Sequence, residues 1–269
     1  WTGRTISEKH DFYPVDSSDG LNYFSVSDVH GTIDAAASAA SYFGDKLDFF
    51  VMDGDIVSLV NNEIDANKAN KLAYKVTKGE HPVVYARGNH ETKEAYASKL
   101  YRYVGAKDDG SFYYYFRLEK VFGLVLDIGE DHDEDWWEYY GTAHFTDYQN
   151  AQLKMIENLD SALYDGSKYR MVVCHIPLMH INYRKNFYDF KIKATSLLNT
   201  LNLDMNIMGH QHQFLAFAPG SLKPLTKLVT KNSFKGDTLS GMVTDFNFPS
   251  MMVGKRSDSQ KEEAQTFLT

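Results

Sequence analysis

The chain of 269 residues is 43% hydrophobic and 24% charged, with a net charge of -8, and so has the bulk and balance of one α/β unit with its own core. The acidic balance argues against a sequence-independent nucleic-acid binder, which needs a basic face, and no apolar run reaches the roughly 20 residues of a membrane-spanning helix. A single cysteine, Cys174, excludes an internal disulfide framework.

Residues 1–22 are polar and aromatic, with a turn over Asp16–Gly20. From Phe24 the chain alternates apolar and polar side chains, which predicts a strand ending at Asp28. An alanine-rich helix is expected over Thr32–Phe43, closed by Gly44. Asp48–Asp53 reads as a buried strand running into Gly54-Asp55. Residues 64–78 read as a helix with Leu72, Ala73 and Val76 on one face, stopped by Gly79. The run from Val83 to Ala86 predicts a strand that ends in Gly88-Asn-His-Glu91. A helix over Thr92–Tyr103 follows, then a hairpin of Phe112–Leu118 and Val121–Asp127 around Glu119-Lys120.

Gly129–Phe145 is unlike the rest: acidic and aromatic, with Trp136-Trp137 and Tyr139-Tyr140 and no clear period. A loop of that length in a compact domain is usually functional or mobile. Thr146 and Gln149 form a capping-box pattern before a helix to about Tyr164. Met171–Cys174 is a predicted strand ending at His175, and Leu203–Met208 one ending at Gly209-His-Gln-His212. With no internal repeat and no second domain, one domain over 1–269 with a core of about 22–218 is expected. The alternation predicts a largely parallel sheet wrapped by helices, whose ligands bind at the carboxyl ends of strands.

Five polar clusters sit at those strand ends: Asp28-x-His30, Gly54-Asp55, Asn89-His90, His175 and His210-x-His212. Side chains two apart in a continuing strand share a face, so Asp28 and His30 can reach one cation; the plainer alternative is an aspartate capping the next helix, with His30 at the surface. Asp55 follows a run too hydrophobic for a solvated carboxylate, and a buried carboxylate stays charged only if paired, hydrogen-bonded or metal-bound. Asp53 competes for that role, and an Asx-turn is the alternative. Gly-Asn is a common turn, and a lone His175 reads as a satisfied core histidine. Together the clusters supply two carboxylates, an amide and five of the ten histidines, a ligand set for two metal ions.

In this order the series resembles the calcineurin-like metallophosphoesterase superfamily over about residues 24–215. Leu126-Asp-Ile-Gly-Glu-Asp131 further resembles its secreted or cell-envelope branch related to purple acid phosphatases. The resemblance implies a single-domain α/β fold, a four-layer α/β/β/α sandwich with mixed sheets; the β-sandwich domain such members often carry upstream is absent from this chain. It implies a first metal held by Asp28, His30 and His212, a second held by Asn89, His175 and His210, and Asp55 bridging both. The implied reaction is phosphoester hydrolysis, with a hydroxide between the two divalent ions attacking phosphorus in line and His90, off the metals, assisting. Two divalent ions against two carboxylates leave a positive site that draws phosphate in despite the chain's total charge. Histidine, carboxylate and amide donors suit Mn, Zn, Fe or Ni. The family's second block often reads Gly-Asp-x-x-Asp, whereas Ile56, Val57 and Ser58 follow Asp55 here. Ser58 stands where the purple enzymes place a metal-binding tyrosine, so a tyrosine-ligated ferric centre is not expected.

A small phosphorylated substrate is the expected partner, with Asn89, Arg184, Trp136 and Trp137 as candidate substrate contacts. The plainer readings are solvated charge for Arg184 and loop packing for the tryptophans. Two rival functions use the same residues: a nuclease or nucleotide phosphodiesterase, and a non-catalytic binding protein that keeps the fold. A chain beginning at Trp1 with no signal-like segment reads as processed, which with the branch resemblance favours a secreted or cell-envelope place over the cytoplasm.

Overall fold

Three clusters of buried apolar side chains divide the chain into layers, and the two-residue period of its strands explains them. The structure is a computed structural model that describes residues 7, 9, 11–105, 107–181, 185–212, 214–221, 227–231, 238–243 and 245–253. Strands β1 (Tyr23–Val26), β2 (Phe49–Asp53) and β3 (Val83–Ala86) form a parallel sheet in that order. The helices α1 (Ile33–Ala40), α2 (Glu63–Ala66) and α3 (Lys68–Thr77) lie in the connections. Successive side chains of a strand point to opposite faces. Phe50 and Met52 of β2 therefore cluster with Ile33, Ala36 and Leu72 of the helices, whereas Phe49 and Val51 cluster with Val121, Val125, Met171 and Val173.

Those last four residues belong to a second sheet. It contains β4 (Tyr114–Leu118), β5 (Val121–Leu126) and β6 (Tyr169–Cys174), followed by β8 (Met205–Met208), β12 (Ser250–Met252) and β9 (Leu215–Phe217). Its centre is parallel, and its edge strands β4 and β9 are antiparallel to their neighbours. The opposite faces of β5 and β6 carry Phe122, Leu124, Leu126 and Val172 into a cluster with α4 (Phe145–Glu157) and α5 (Lys185–Leu198). The order is helix, sheet, sheet, helix, the expected four-layer sandwich. A short antiparallel sheet of β7 (His180–Ile181), β10 (Lys227–Lys231) and β11 (Thr238–Val243) completes the described strands. Among the described residues no helix is long and apolar enough to cross a membrane.

Local chemistry accounts for the differences from expectation. The helix expected over 64–78 is two helices meeting at Asn67, the first capped by Asn62, whose side-chain oxygen accepts from the backbone N–H of Ile64 and Asp65. In place of a helix over 92–103 there are 3-10 turns at His90–Thr92 and Ala97–Arg102. The backbone there pairs with another segment: Val60 N donates to Lys93 O, and Tyr96 N donates to Val60 O. Glu94 has a left-handed φ of 79°, which an α-helix excludes. The capping box at Thr146 does not form. Thr146 N instead donates to the Glu134 carboxylate, the Gln149 side chain donates to Ile128 O, and the helix runs from Phe145 to Glu157 only.

Candidate metal centre

The segments leaving β1, β2 and β3 meet those leaving β6 and β8 at one edge of the sandwich. The first sheet contributes Asp28, His30, Asp55, Asn89 and His90; the second contributes His175, His210 and His212. All eight sequence-predicted ligand and catalytic side chains converge there, although two apart on a strand is not how Asp28 and His30 do so. β1 ends at Val26, and both residues adopt left-handed backbone, with φ of 55° and 47°. Asp55, His210 and His212 share that conformation. These five are half of the described non-glycine residues with positive φ, and such strain persists only where surrounding structure over-determines it.

Each carboxylate commits one oxygen to the backbone and turns the other toward the imidazoles. Asp28 Oδ2 accepts from His210 N at 3.0 Å, and Oδ1 lies 3.4 Å from His212 Nε2 and 4.0 Å from His175 Nε2. Asp55 Oδ1 accepts from His90 N at 2.9 Å. Its Oδ2 lies 3.1 Å from His175 Nε2 and 3.9 Å from the Nε2 atoms of both His30 and His90. His30 Nε2 and His212 Nε2 are 3.3 Å apart, and His210 Nδ1 is 3.0 Å from Asn89 Oδ1.

Backbone carbonyls set two of the tautomers. A carbonyl only accepts, so His175 Nδ1, 2.6 Å from Asp53 O, and His90 Nδ1, 2.7 Å from Ser58 O, carry the protons. In both rings Nε2 is left facing the site. Burial alone would discharge His175, but the carboxylates of Asp55, Asp28 and Asp53 outweigh it and raise the imidazole's pKa. The Asp55 carboxyl answers in the opposite direction: burial raises it, and His175 more than reverses that. Burial pushes His30 down to about 4 and His210 down to about 3, which keeps both rings neutral and able to ligate.

This arrangement fits a pair of divalent cations. Donors about 2.1 Å from one ion lie about 3.0–3.4 Å from each other; His30–His212 at 3.3 Å, Asp28–His212 at 3.4 Å and Asp55–His175 at 3.1 Å match that. Within the group of Asp28, His30 and His212, and within that of Asp55, His175 and His210, all donor atoms lie within 4.8 Å of one another. Asp28 Oδ1 is buried yet takes no hydrogen bond, a costly state for a carboxylate oxygen unless a cation meets it. Asp53, the competitor of Asp55, touches the cluster through its backbone carbonyl, which holds His175 Nδ1; its carboxyl is fully buried, belongs to none of the donor groups, and is driven well above the usual range by burial.

Sequence reasoning assigned no role to three residues that organise the site. The buried Ser27 hydroxyl sits 2.8 Å from Asp28 Oδ2 and 2.7 Å from Asp53 O, and a Cβ on Gly209 would collide with it. Buried Glu91 accepts from the backbone N–H of Asp55, Val57 and Gly88, tying the second and third ligand loops together. A Cβ on Gly88 would stand 2.2 Å from Asp55 Oδ1, so only glycine lets those loops approach. Asp131 Oδ2 lies 3.7 Å from His210 Nε2, on the far side of that ring from Asn89. The signal for Glu91 was its place directly after Asn89-His90; Ser27 carried none.

The structure places the candidate substrate contacts less uniformly. Asn89 is in the cluster. Trp136 packs on the His132 ring at 4.3 Å, Trp137 is exposed, and neither touches the imidazole cluster. Arg184 lies outside the described residues.

A two-sheet α/β sandwich with aspartate, asparagine and histidine converging at the strand ends defines a metal-dependent hydrolase class. The calcineurin-like phosphoesterase model matches residues 23–214, and the chain belongs to that family, as a phosphoester hydrolase. The fold is similar to a dimetal phosphatase from Danio rerio, with a TM-score of 0.56 and 13% identity over 90% of this chain and 88% of that one. It is also similar to the purple acid phosphatase PPD1 of yellow lupin (Lupinus luteus), with a TM-score of 0.53 and 13% identity over 93% of this chain and 46% of that one. PhoD shows a TM-score of 0.53 and 12% identity over 87% of this chain and 56% of that one, so the chain spans about half the length of the latter two. No curated protein sequence matches it.

Proposed function

We propose that the chain hydrolyses esters of small phosphorylated molecules at a dinuclear centre held by Asp28, His30 and His212 on one side and Asn89, His175 and His210 on the other, with Asp55 shared. One observation carries this reading: Asp55 is shared by two donor groups, one with His30 and His90 and one with His175 and His210, and its Oδ2 lies 3.9 Å from the Nε2 atoms of His30 and His90 and 3.1 Å from that of His175. Bound there, two divalent cations supply Lewis acidity toward a phosphate ester and lower the pKa of water.

The protein's own groups prepare that chemistry. Ser27 and His210 N orient Asp28, and His90 N orients Asp55, so neither carboxylate has to reorganise when charge develops. His90 is pinned through Nδ1 and presents Nε2 to the site. With a proton on each ring nitrogen, it donates from Nε2 a proton to the leaving oxygen, or a hydrogen bond to the phosphate as its charge builds. The binding-protein alternative gains no support from the site, where the whole donor set is present. The nuclease alternative meets an acidic rim: residues 129–147 contain seven carboxylates and no lysine or arginine.

His90→Ala tests the division of labour. It should keep both metals and lower kcat on p-nitrophenyl phosphate by roughly 10²–10⁴-fold, the usual worth of a positioned acid. Loss of metal from this variant, measured by elemental analysis, would place His90 among the ligands and contradict the assignment.

A further inference from the structure

Beside the metal centre lies an open cleft of about 600 Å³, between the turn that follows His90 and the acidic-aromatic loop. Three contacts fix it as the site's neighbour. Thr92, on its wall, donates its hydroxyl to Asn89 O at 2.7 Å. Leu59, also on the wall, follows Ser58, whose carbonyl holds the His90 ring. Glu130 and His132 flank Asp131, which reaches His210. An ester whose phosphate sits on the ligand cluster therefore has this cleft for its organic group, and the volume suits a small one.

The lining selects by charge. Three carboxylates, Glu94, Glu130 and Glu138, face one ammonium, Lys93, and that ammonium is already 3.5 Å from Glu130. Among the described residues neither Glu94 nor Glu138 has a cationic partner. The two lining histidines are likewise taken, His132 by Asp131 at 2.7 Å and His144 by Asp147 at 2.8 Å. Aromatic walls stand among these charges: Tyr139 meets Phe145 at 77° and 6.2 Å, and His132 at 88° and 6.4 Å. Carboxylates without counter-cations next to ring faces are the chemistry that holds an organic ammonium. A second phosphate, as in a nucleotide, would meet uncompensated like charge instead.

We infer that this cleft binds the cationic head of a phosphorylated amino alcohol, a zwitterion whose phosphate faces the metal ligands and whose ammonium lies between Glu94, Glu138 and the rings of Tyr139 and Phe145. The inference builds on the hydrolase reading, since that reading puts the phosphate next door. Its test does not depend on turnover. Choline and its neutral isostere 3,3-dimethylbutan-1-ol, neither carrying phosphate, are titrated calorimetrically into the metal-loaded full chain. Choline should bind at least tenfold more tightly than the isostere, and Glu94→Gln with Glu138→Gln, two exposed positions, should erase the difference at an unchanged melting temperature. Equal binding of the two alcohols, no choline binding, or a difference that survives in the double variant overturns the inference. A chain that hydrolyses no ester yet discriminates choline sinks the hydrolase reading and leaves the cleft's selectivity standing.

Discussion

Asp55→Asn is expected to lose at least one of the two metals and to slow phosphoester hydrolysis by about 10³-fold or more. The substitution is nearly isosteric and keeps an oxygen able to accept from His90 N, so the turn after β3 survives. What disappears is the charge on the one oxygen that three imidazoles face. Charge stabilisation by a metal site is worth several kcal/mol in the transition state, and about 4 kcal/mol corresponds to about 10³-fold in rate. Metal content and turnover of p-nitrophenyl phosphate, with circular dichroism to confirm folding, check this. A variant that keeps two metals and near-native turnover would remove Asp55 from the centre.

Arg87→Met should cost about 3 kcal/mol of stability, a fall of roughly 6–12 °C in melting temperature. Arg87 follows β3 and pairs with Asp127, the residue after β5, at 2.8 Å; the guanidinium also lies 4.5 Å over the Phe112 ring. The pair therefore joins the first sheet to the second directly beneath the ligand loops, with Gly88 as the next residue. Asp127 is fully buried, and without its partner it becomes an uncompensated buried charge. Tyr148 OH at 2.8 Å and Gly129 N at 2.9 Å still serve its two oxygens, which is why the lower end of the usual 3–5 kcal/mol applies. Urea unfolding measures the effect. A loss below about 1 kcal/mol would mean that the sheets are held in register by the apolar layer alone.

Much of the catalytic edge was legible in the sequence because β2, β3 and the end of β6 are buried and read as unbroken apolar runs. Against Phe49–Met52 or Met171–Cys174 a terminal Asp55 or His175 stands out. What escaped was anything set by backbone conformation or by distant pairing. Gly31 announces a turn after His30, but nothing in the sequence marks Asp28 and His30 themselves as left-handed, and Ser27 reads as an ordinary polar strand position. The helix expected over 92–103 failed because Lys93 and Tyr96 spend their backbone groups on Val60, a partner no local pattern reveals. The place of β12 was equally hidden: Ser250–Met252 enters the second sheet between β8 and β9, more than thirty residues after β9. Cross-strand pairing at that separation leaves no periodic trace.

The most direct test of a shared two-metal centre is to strip the protein with chelator and follow p-nitrophenyl phosphate hydrolysis as Mn²⁺ or Zn²⁺ is added back in known equivalents. Activity should rise until two ions per chain are bound and then level off. Full activity at one equivalent, or none at any loading, would contradict a cation pair joined through Asp55.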